Sequence, residues 1–311
     1  MVIADFALVG AGLLLLLAGG EVLVRSAKAV AEIAGAPPFM VGALLVGFGT
    51  SVPELAVGID AALVGSGDVA VGNVIGSNLC NGTLVLGLAA LLNPLRIPVR
   101  LFRVDIPVLI AVSGAVVFFL QDSTLQRGEA LLLLVALAAY LAATVRSVPR
   151  DPAARDLAES TAEGSWAGLL TSCLVGIAGL VVGAQWLVEG ATLVARDLDV
   201  SEATIAISLV AFGTSLPEVA TTVVAARHRA NDLAVGNLVG SNLFNVMAVL
   251  GLSGLTAPLR TVDVRGWELA VFVGAPVVLI LFAARGHLGR CGAIGLVLGY
   301  GGIIAALARE L

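Results

Sequence analysis

The sequence contains one long segment twice, and this internal repeat limits the possible folds more than any other feature. Residues 48–96 and 212–260, aligned without a gap at an offset of 164 (212 − 48 = 164), are identical at 27 of 49 positions. Two unrelated segments would not match so closely over such a length. The chain is therefore predicted to consist of two copies of one structural unit.

The composition places both copies in a membrane. Of the 311 residues, 59% are hydrophobic and only 13% are charged. Such a chain has too few polar residues to cover a soluble core, which predicts an all-α polytopic membrane protein. The net charge of −5 is modest, and no basic cluster with interleaved aromatic residues occurs. Nucleic acid is therefore not expected as a partner, whereas the lipid bilayer is.

Apolar runs of about 17 to 25 residues are long enough to cross the roughly 30 Å hydrocarbon layer of a bilayer. The sequence contains ten such runs, near residues 3–24, 39–64, 69–92, 104–120, 128–146, 166–195, 203–226, 233–256, 267–284 and 288–308. A polar stretch lies between the fifth and the sixth run. We therefore predict a first five-helix repeat (1–146), a short cytoplasmic linker (147–165) and a second five-helix repeat (166–311).

An odd number of spans in each copy determines how the two copies are related. After five crossings the second copy enters the membrane from the opposite side, which predicts two inverted-topology repeats. Twelve of the seventeen lysines and arginines fall on one side of this arrangement. The positive-inside rule makes that side cytoplasmic. Both termini are thus predicted to be extracellular or periplasmic, in a multi-pass protein of the cell (inner) membrane.

A polar motif interrupts the second apolar run in the middle of the membrane. The sequence Gly-Thr-Ser-Val-Pro-Glu at 49–54 returns as Gly-Thr-Ser-Leu-Pro-Glu at 213–218. Proline and glycine break the helix and free backbone carbonyls that lipid cannot satisfy. A carboxylate at this depth is costly and by default indicates a functional site. Each copy is thus predicted to contribute one glutamate, Glu54 or Glu218, to a wet cavity.

A second motif adds amide and hydroxyl groups from the following helix. Asn73, Ser77 and Asn81 are spaced i, i+4 and i+8, so they share one helical face, and the second copy repeats them as Asn237, Ser241 and Asn245. Together with the glutamates they predict an all-oxygen site of charge −2, without histidine or thiol at ligand spacing. Such a site suits Ca²⁺ or several Na⁺ ions, and Mg²⁺ less well because it dehydrates reluctantly.

The paired glutamates also indicate the type of transport. Two deprotonated carboxylates in a low-dielectric cavity repel each other, so an empty site is costly and should move only when loaded. This behaviour is typical of an antiporter, in which Ca²⁺ moves one way and Na⁺ or H⁺ the other. A passive cation channel is a weaker alternative. An intramembrane enzyme is not expected, because no HExxH, serine-lysine or paired-aspartate motif lies in the spans.

The doubled motifs resemble those of the calcium/cation antiporter superfamily, in particular its sodium/calcium exchanger branch, and the resemblance covers essentially the whole chain. It implies electrogenic exchange of three Na⁺ for one Ca²⁺, with inorganic cations as the only ligands, no organic cofactor and no obligatory protein partner. Potassium-dependent exchangers carry an aspartate where this chain has Asn245. The amide weakens the case for a K⁺-dependent sodium/calcium exchanger, which stays an alternative beside an H⁺/Ca²⁺ exchanger.

The resemblance also implies which residues bind each ion. Ca²⁺ would be held by Glu54 and Glu218 with the carbonyls of Thr50 and Thr214. Na⁺ would be held by the same glutamates and by Gly47, Ser51, Ser77, Ala211, Ser215 and Ser241. Asn81 would lie beside these Na⁺ ions. From the residues alone, Asn81 and Asn245 are predicted to be ligands or to satisfy backbone groups freed by the breaks. Asn73, Asn78, Asn237 and Asn242 are predicted to be structural clamps.

Two further features lie outside the motifs. Asp68 and Asp232 each precede a predicted helix and are predicted to be its N-cap residue. His228 lies between two arginines in a predicted cytoplasmic turn, which favours contact with lipid headgroups.

Overall fold

The structure, a computed structural model, describes residues 2–147, 165–198 and 211–307, and in this part nearly all elements are helical. Eleven helices of more than one turn are present there: α1 (Val2–Ala34), α2 (Pro38–Thr50), α3 (Val52–Leu63), α4 (Gly67–Leu92), α5 (Leu101–Asp122), α6 (Arg127–Arg146), α7 (Trp166–Asp197), α8 (Leu216–Arg227), α9 (Asn231–Thr256), α10 (Gly266–Ala284) and α11 (Arg290–Leu307). A single helical turn, Ala211–Gly213, precedes α8.

The described helices are those of a multi-pass membrane protein. Six of them, α1, α4, α5, α6, α7 and α9, are long and apolar enough to cross a bilayer, and α2 and α3 together form a seventh span bent by 45°. Shorter apolar helices occur at Gly266–Phe282 and Arg290–Ala306, where the ninth and tenth spans are predicted. The predicted span at 203–226 lies partly outside the described residues, and α8 is its described portion.

Two short antiparallel ribbons connect the two copies of the repeat. Strand β1 (Leu95–Arg96) pairs with β4 (His287–Leu288), and β2 (Thr124–Leu125) pairs with β3 (Leu259–Arg260). Because 95 + 164 = 259, β3 is the repeat counterpart of β1. Each ribbon therefore joins a strand of one copy to a strand of the other, and it satisfies backbone groups where the membrane helices end.

Helices α1 and α7 form a closely packed pair through their glycines. A side chain at Gly12 or Gly19 of α1 would collide with the backbone of α7, and one at Gly176 or Gly183 of α7 would collide with the backbone of α1. Small residues allow membrane helices to approach closely, so van der Waals contact holds the pair together without polar groups.

Helix α9 lies in the centre of the molecule and packs against α2 in the same manner. A Cβ at Gly240 would meet the backbone of Ala43, and a Cβ at Gly47 would meet the backbone of Ser241. These contacts bring the end of α2 directly against the polar face of α9. Gly47 and Gly240 thus position the backbone of one copy beside the side chains of the other.

The prediction that Asp68 and Asp232 are N-cap residues is wrong. Both lie in the first turn of their helices, and the N-cap residues are Ser66 and Ala230, neither of which forms a capping hydrogen bond. The Oδ1 atom of Asp68 instead accepts hydrogen bonds from the backbone N–H groups of residues 262, 263 and 264, at 2.9, 2.9 and 3.2 Å. The carboxylate thus fixes the loop after β3, a tertiary contact that local sequence does not reveal.

Candidate cation site between the broken helices

The site is built where two membrane helices break. Ser51 separates α2 from α3 with φ −87° and ψ 11°, and Ser215 precedes α8 with φ −84° and ψ −1°. Pro53 and Pro217 follow within the first turn of the new helix, where a missing N–H group is tolerated. The predicted break in the first copy is confirmed by the 45° bend between α2 and α3.

The two glutamates lie in the first turn after each break and are completely buried. Partial positive charge at a helix N-terminus favours a carboxylate there. Ser51 donates a hydrogen bond of 3.0 Å to Oε1 of Glu218, and Ser77 donates one of 3.2 Å to Oε1 of Glu54. The first of these bonds joins the serine of one copy to the glutamate of the other.

Each glutamate has one buried oxygen atom without a hydrogen-bond partner among the described residues. The Oε2 atoms of Glu54 and Glu218 are buried and have no hydrogen-bond partner among the described residues, and no described basic side chain forms an ion pair with either carboxylate. Buried charges are normally paired or coordinate a metal. Two orphaned carboxylate oxygens in one site are therefore suited to a cation.

Hydroxyl groups of the first motif meet the polar face of α9. The Oγ1 atom of Thr50 lies 3.3 Å from both Asn237 Oδ1 and Ser241 Oγ, and Ser241 donates to the carbonyl of Gly47 at 3.1 Å. All four residues are buried. The structure thus brings together residues that lie almost two hundred positions apart in the sequence.

The second motif meets α4 in a related arrangement. Thr214 donates to Asn73 Oδ1 at 3.4 Å, and Ser215 donates to Ser77 Oγ at 3.3 Å. Ala211 belongs to the helical turn that leads into this motif. The predicted site residues of both copies therefore lie around the two helix breaks.

Asn81 and Asn245 each begin a π-helical turn, Asn81–Val85 in α4 and Asn245–Val249 in α9. Both side chains are fully buried. Asn245 donates to Asn78 Oδ1 at 3.2 Å, whereas neither polar atom of Asn81 has a partner in the described part of the chain. The wider π turns were not predicted from the sequence, and such turns are frequent at functional sites.

Asn78 and Asn242 clamp α4 to α9. The amide nitrogen of Asn78 donates to the carbonyl of Asn242 at 3.1 Å, and the nitrogen of Asn242 donates to the carbonyl of Asn78 at 3.3 Å. Reciprocal bonds of this type hold membrane helices in register. The two polar faces are thus kept side by side.

A third buried carboxylate, Asp105, shows how a structural charge differs from the site glutamates. Its Oδ1 accepts from the hydroxyl of Tyr140 at 2.9 Å, and its Oδ2 lies 3.5 Å from Nε of Arg100. Arg100 also donates to Thr144 and Ser147 at 2.8 and 2.6 Å. This cluster ties α5 to the end of α6, and its charge is balanced within the protein.

His228 contacts another helix rather than standing free. Its Nε2 atom lies 2.8 Å from Oε2 of Glu21, which also pairs with Arg25 at 2.6 Å. The histidine thus connects the end of α8 to α1.

The oxygen-only character of the site is consistent with a hard cation. No group of three or more histidine, cysteine, aspartate or glutamate residues gathers anywhere in residues 2–147, 165–198 and 211–307. The available ligands are two carboxylates, hydroxyls, amides and the carbonyls near the breaks. Calcium and sodium prefer such ligands over nitrogen or sulfur.

Broken membrane helices around a buried oxygen-only site are typical of membrane transporters. Comparison with known proteins identifies the family. The family model described as "Sodium/calcium exchanger protein" matches residues 5–146 and 168–308, so the chain belongs to the sodium/calcium exchanger family, whose members are cation antiporters rather than enzymes.

Individual relatives agree with this assignment. The inner membrane protein YrbG of Escherichia coli is 37% identical over 262 residues, which cover 81% of this chain and 80% of YrbG. The sodium/calcium exchanger MaX1 of Methanosarcina acetivorans is 29% identical over 327 residues, which cover 92% and 93% of the two chains. A solved structure of the sodium-calcium exchanger NCX_Mj superposes with a TM-score of 0.85 at 30% identity, covering 99% of each chain.

Proposed function

We propose that this protein is a secondary-active antiporter that exchanges Ca²⁺ for Na⁺ by alternating access at a site built from Glu54 and Glu218. The observation that carries the proposal is the pair of buried glutamates, one from each copy, whose Oε2 atoms have no partner among the described residues. The names of the relatives MaX1 and NCX_Mj support sodium and calcium as the transported ions.

In this proposal one Ca²⁺ ion is held between the two carboxylates. Their orphaned oxygens supply the negative charge, and the backbone carbonyls of Thr50 and Thr214, next to the breaks, complete the ligand set. Sodium ions use the same carboxylates together with groups around them. The proposed Na⁺ ligands are Glu54, Glu218, Gly47, Ser51, Ser77, Ala211, Ser215 and Ser241.

Charge balance couples the two ions. The empty site has charge −2 and is buried, so its movement across the membrane is strongly disfavoured. One Ca²⁺ neutralises it, and Na⁺ ions in the same cavity do so in turn. Three Na⁺ per Ca²⁺ would move one net positive charge (3 − 2 = 1), which makes the exchange electrogenic.

The proposed topology is ten spans in two inverted repeats, 1–146 and 166–311, with a cytoplasmic linker and both termini outside. Three loops that the positive-inside rule assigns to the cytoplasmic side meet around one cavity of about 1000 Å³, lined by Lys28, Arg96 and Arg229 among others. Their convergence supports placing all three on the same side of the membrane. The name of YrbG supports an inner-membrane location.

Calcium uptake into everted membrane vesicles tests the proposal. A Na⁺ gradient directed outward from the vesicle lumen should drive Ca²⁺ uptake. If three sodium ions leave for each calcium ion, one net positive charge leaves the lumen, so an inside-positive potential should stimulate that uptake. Vesicles without the protein provide the baseline. Uptake that follows a pH gradient and ignores Na⁺ would instead support H⁺/Ca²⁺ exchange, because a buried carboxylate oxygen without a partner can also accept a proton.

A further inference from the structure

The two motif asparagines are oriented by different kinds of partner. Asn73 donates from Nδ2 to the backbone carbonyl of Glu54 at 3.4 Å. Its counterpart Asn237 donates from Nδ2 to the hydroxyl of Thr222 at 2.9 Å. The amide of Asn73 is thus oriented by a main-chain carbonyl, which no substitution removes. The amide of Asn237 is oriented by a single side chain.

Helix packing leaves room for a threonine hydroxyl at this position in the second copy only. The repeat counterpart of Thr222 is Gly58 (58 + 164 = 222), and a Cβ atom there would collide with Ser253 and Val249 of α9. A threonine at position 58 would therefore require Ser253 and Val249 to move. In the second copy, Thr222 is fully buried within α8 and faces Asn237.

We infer that Thr222 is a positioning residue for sodium, acting through Asn237 on the ligands Gly47 and Ser241. This inference rests on the proposed function. The side chain of Thr222 contacts no proposed ligand group directly. Its effect is to decide which end of the Asn237 amide faces Thr50.

The hydroxyl of Ser241 is hydrogen-bonded to another proposed sodium ligand. It donates to the Gly47 carbonyl at 3.1 Å, so in this arrangement the two oxygens are bonded to each other. A hydroxyl that binds a cation directs its lone pairs at the ion and its proton elsewhere. For Na⁺ to bind both oxygens, the Ser241 proton must move to another acceptor.

Two side chains beside Ser241 form a chain of hydrogen-bond acceptors that can take up its proton. Thr50 Oγ1 lies 3.3 Å from Ser241 Oγ and can accept that proton in a hydrogen bond. Thr50 can donate its own proton to Asn237 Oδ1 at 3.3 Å or to the Gly47 carbonyl at 3.4 Å. With Na⁺ on the Gly47 carbonyl, Asn237 Oδ1 is the acceptor that remains. Because Nδ2 of Asn237 is held by Thr222, the amide presents its oxygen to Thr50. An amide rotated by half a turn would present a donor instead, and the chain would be broken.

The test is the ion dependence of exchange by Thr222→Val in reconstituted vesicles. Valine keeps the shape of threonine but cannot accept a hydrogen bond. We expect the Na⁺ concentration for half-maximal exchange to rise about threefold to tenfold, equivalent to about 0.6 to 1.4 kcal/mol. The Ca²⁺ concentration for half-maximal exchange should stay within about twofold of the wild-type value, because the proposed Ca²⁺ ligand groups are the two carboxylates and the backbone carbonyls of Thr50 and Thr214, which lie outside this chain of side-chain hydrogen bonds. Thr222→Ser, which retains the hydroxyl, should restore the Na⁺ dependence.

The chain offers a matched control in the neighbouring residue. Thr221 is also buried, its hydroxyl has no partner in the described residues, and its repeat counterpart is Val57. Thr221→Val should therefore leave both ion dependences unchanged. If Thr222→Val is not recovered as folded protein, Thr222→Ala removes the same hydroxyl without adding a methyl group and gives the same comparison.

Two outcomes overturn the inference. Either the Na⁺ dependence of the variants that lack the hydroxyl, Thr222→Val and Thr222→Ala, equals that of the wild type, or their Na⁺ and Ca²⁺ dependences shift by equal factors, as a general structural defect would produce. Failure of the proposed function looks different, because the wild-type protein itself would then show no Na⁺-driven Ca²⁺ uptake.

Discussion

The two copies of the repeat carry the same motifs but hold their glutamates by different routes. Glu218 accepts directly from Ser51, a motif residue of the other copy. Glu54 accepts a hydrogen bond from Ser77 of its own copy, and Ser77 in turn accepts one of 3.3 Å from the motif serine Ser215. The same sequence elements therefore give two different hydrogen-bond arrangements, since the surrounding helices differ.

In the proposed exchanger, this difference would allow a duplicated unit to bind unlike ions. A fully symmetric site would offer equivalent positions on both sides of the carboxylate pair. Residues outside the motifs, such as Gly58 and its counterpart Thr222, remove that equivalence. The motifs carry the proposed ligands, and their neighbours make the two halves distinct.

The largest expected effect on stability comes from replacing Gly58 or Thr222 with the residue found at the equivalent position of the other copy. Gly58→Thr introduces a side chain where Ser253 and Val249 already fill the space, so it should destabilise the protein by about 1 to 3 kcal/mol or more. Thermal unfolding in detergent measures the effect. The reverse change, Thr222→Gly, creates space and weakens a helix, so it should lower the melting temperature less. An equal loss from both changes would contradict the described contact of α3 with α9.

The second prediction concerns the two aspartates at the starts of α4 and α9. Asp68 accepts three backbone hydrogen bonds from the loop at 262–264. Asp68→Ala should therefore destabilise the protein by about 1.5 to 3 kcal/mol, and hydrogen exchange in that loop should accelerate. The counterpart change Asp232→Ala provides the control and should lower the free energy of unfolding by a smaller amount. Unchanged exchange in the loop of the Asp68 variant would show that another contact holds it.

The smallest effect is expected at the asparagines that begin the π turns. Asn81→Asp changes a side chain that makes no hydrogen bond to the described residues, whereas Asn245→Asp removes the donor to Asn78. Both changes add negative charge to the site, so both should lower the Ca²⁺ concentration for half-maximal exchange. Only Asn245→Asp should also lower the melting temperature, by a few degrees. Equal melting temperatures would argue against the Asn245 to Asn78 bond.

The sequence predicted the parts of this molecule that depend on local chemistry and on repetition. The proline and glycine of 49–54 predicted a helix break, which the structure places at Ser51, and the duplication predicted a second break, which lies at Ser215. The π turns at Asn81 and Asn245 could not be predicted, because one extra residue in a helical turn leaves no compositional trace. The pairing of Asp105 with Arg100 and Tyr140 depends on how α5 meets α6, and the contact of Thr222 with Asn237 depends on how α8 meets α9.

The most direct test of the account is Na⁺-gradient-driven Ca²⁺ uptake by Glu54→Gln and Glu218→Gln, measured in the same vesicles as the wild type. Glutamine keeps the shape of each side chain but removes the charge that the transported ions would neutralise. Glu21→Gln, which removes a carboxylate outside the site, is the control and should retain uptake. The account predicts that each site variant alone abolishes exchange. Normal exchange by both site variants would contradict it.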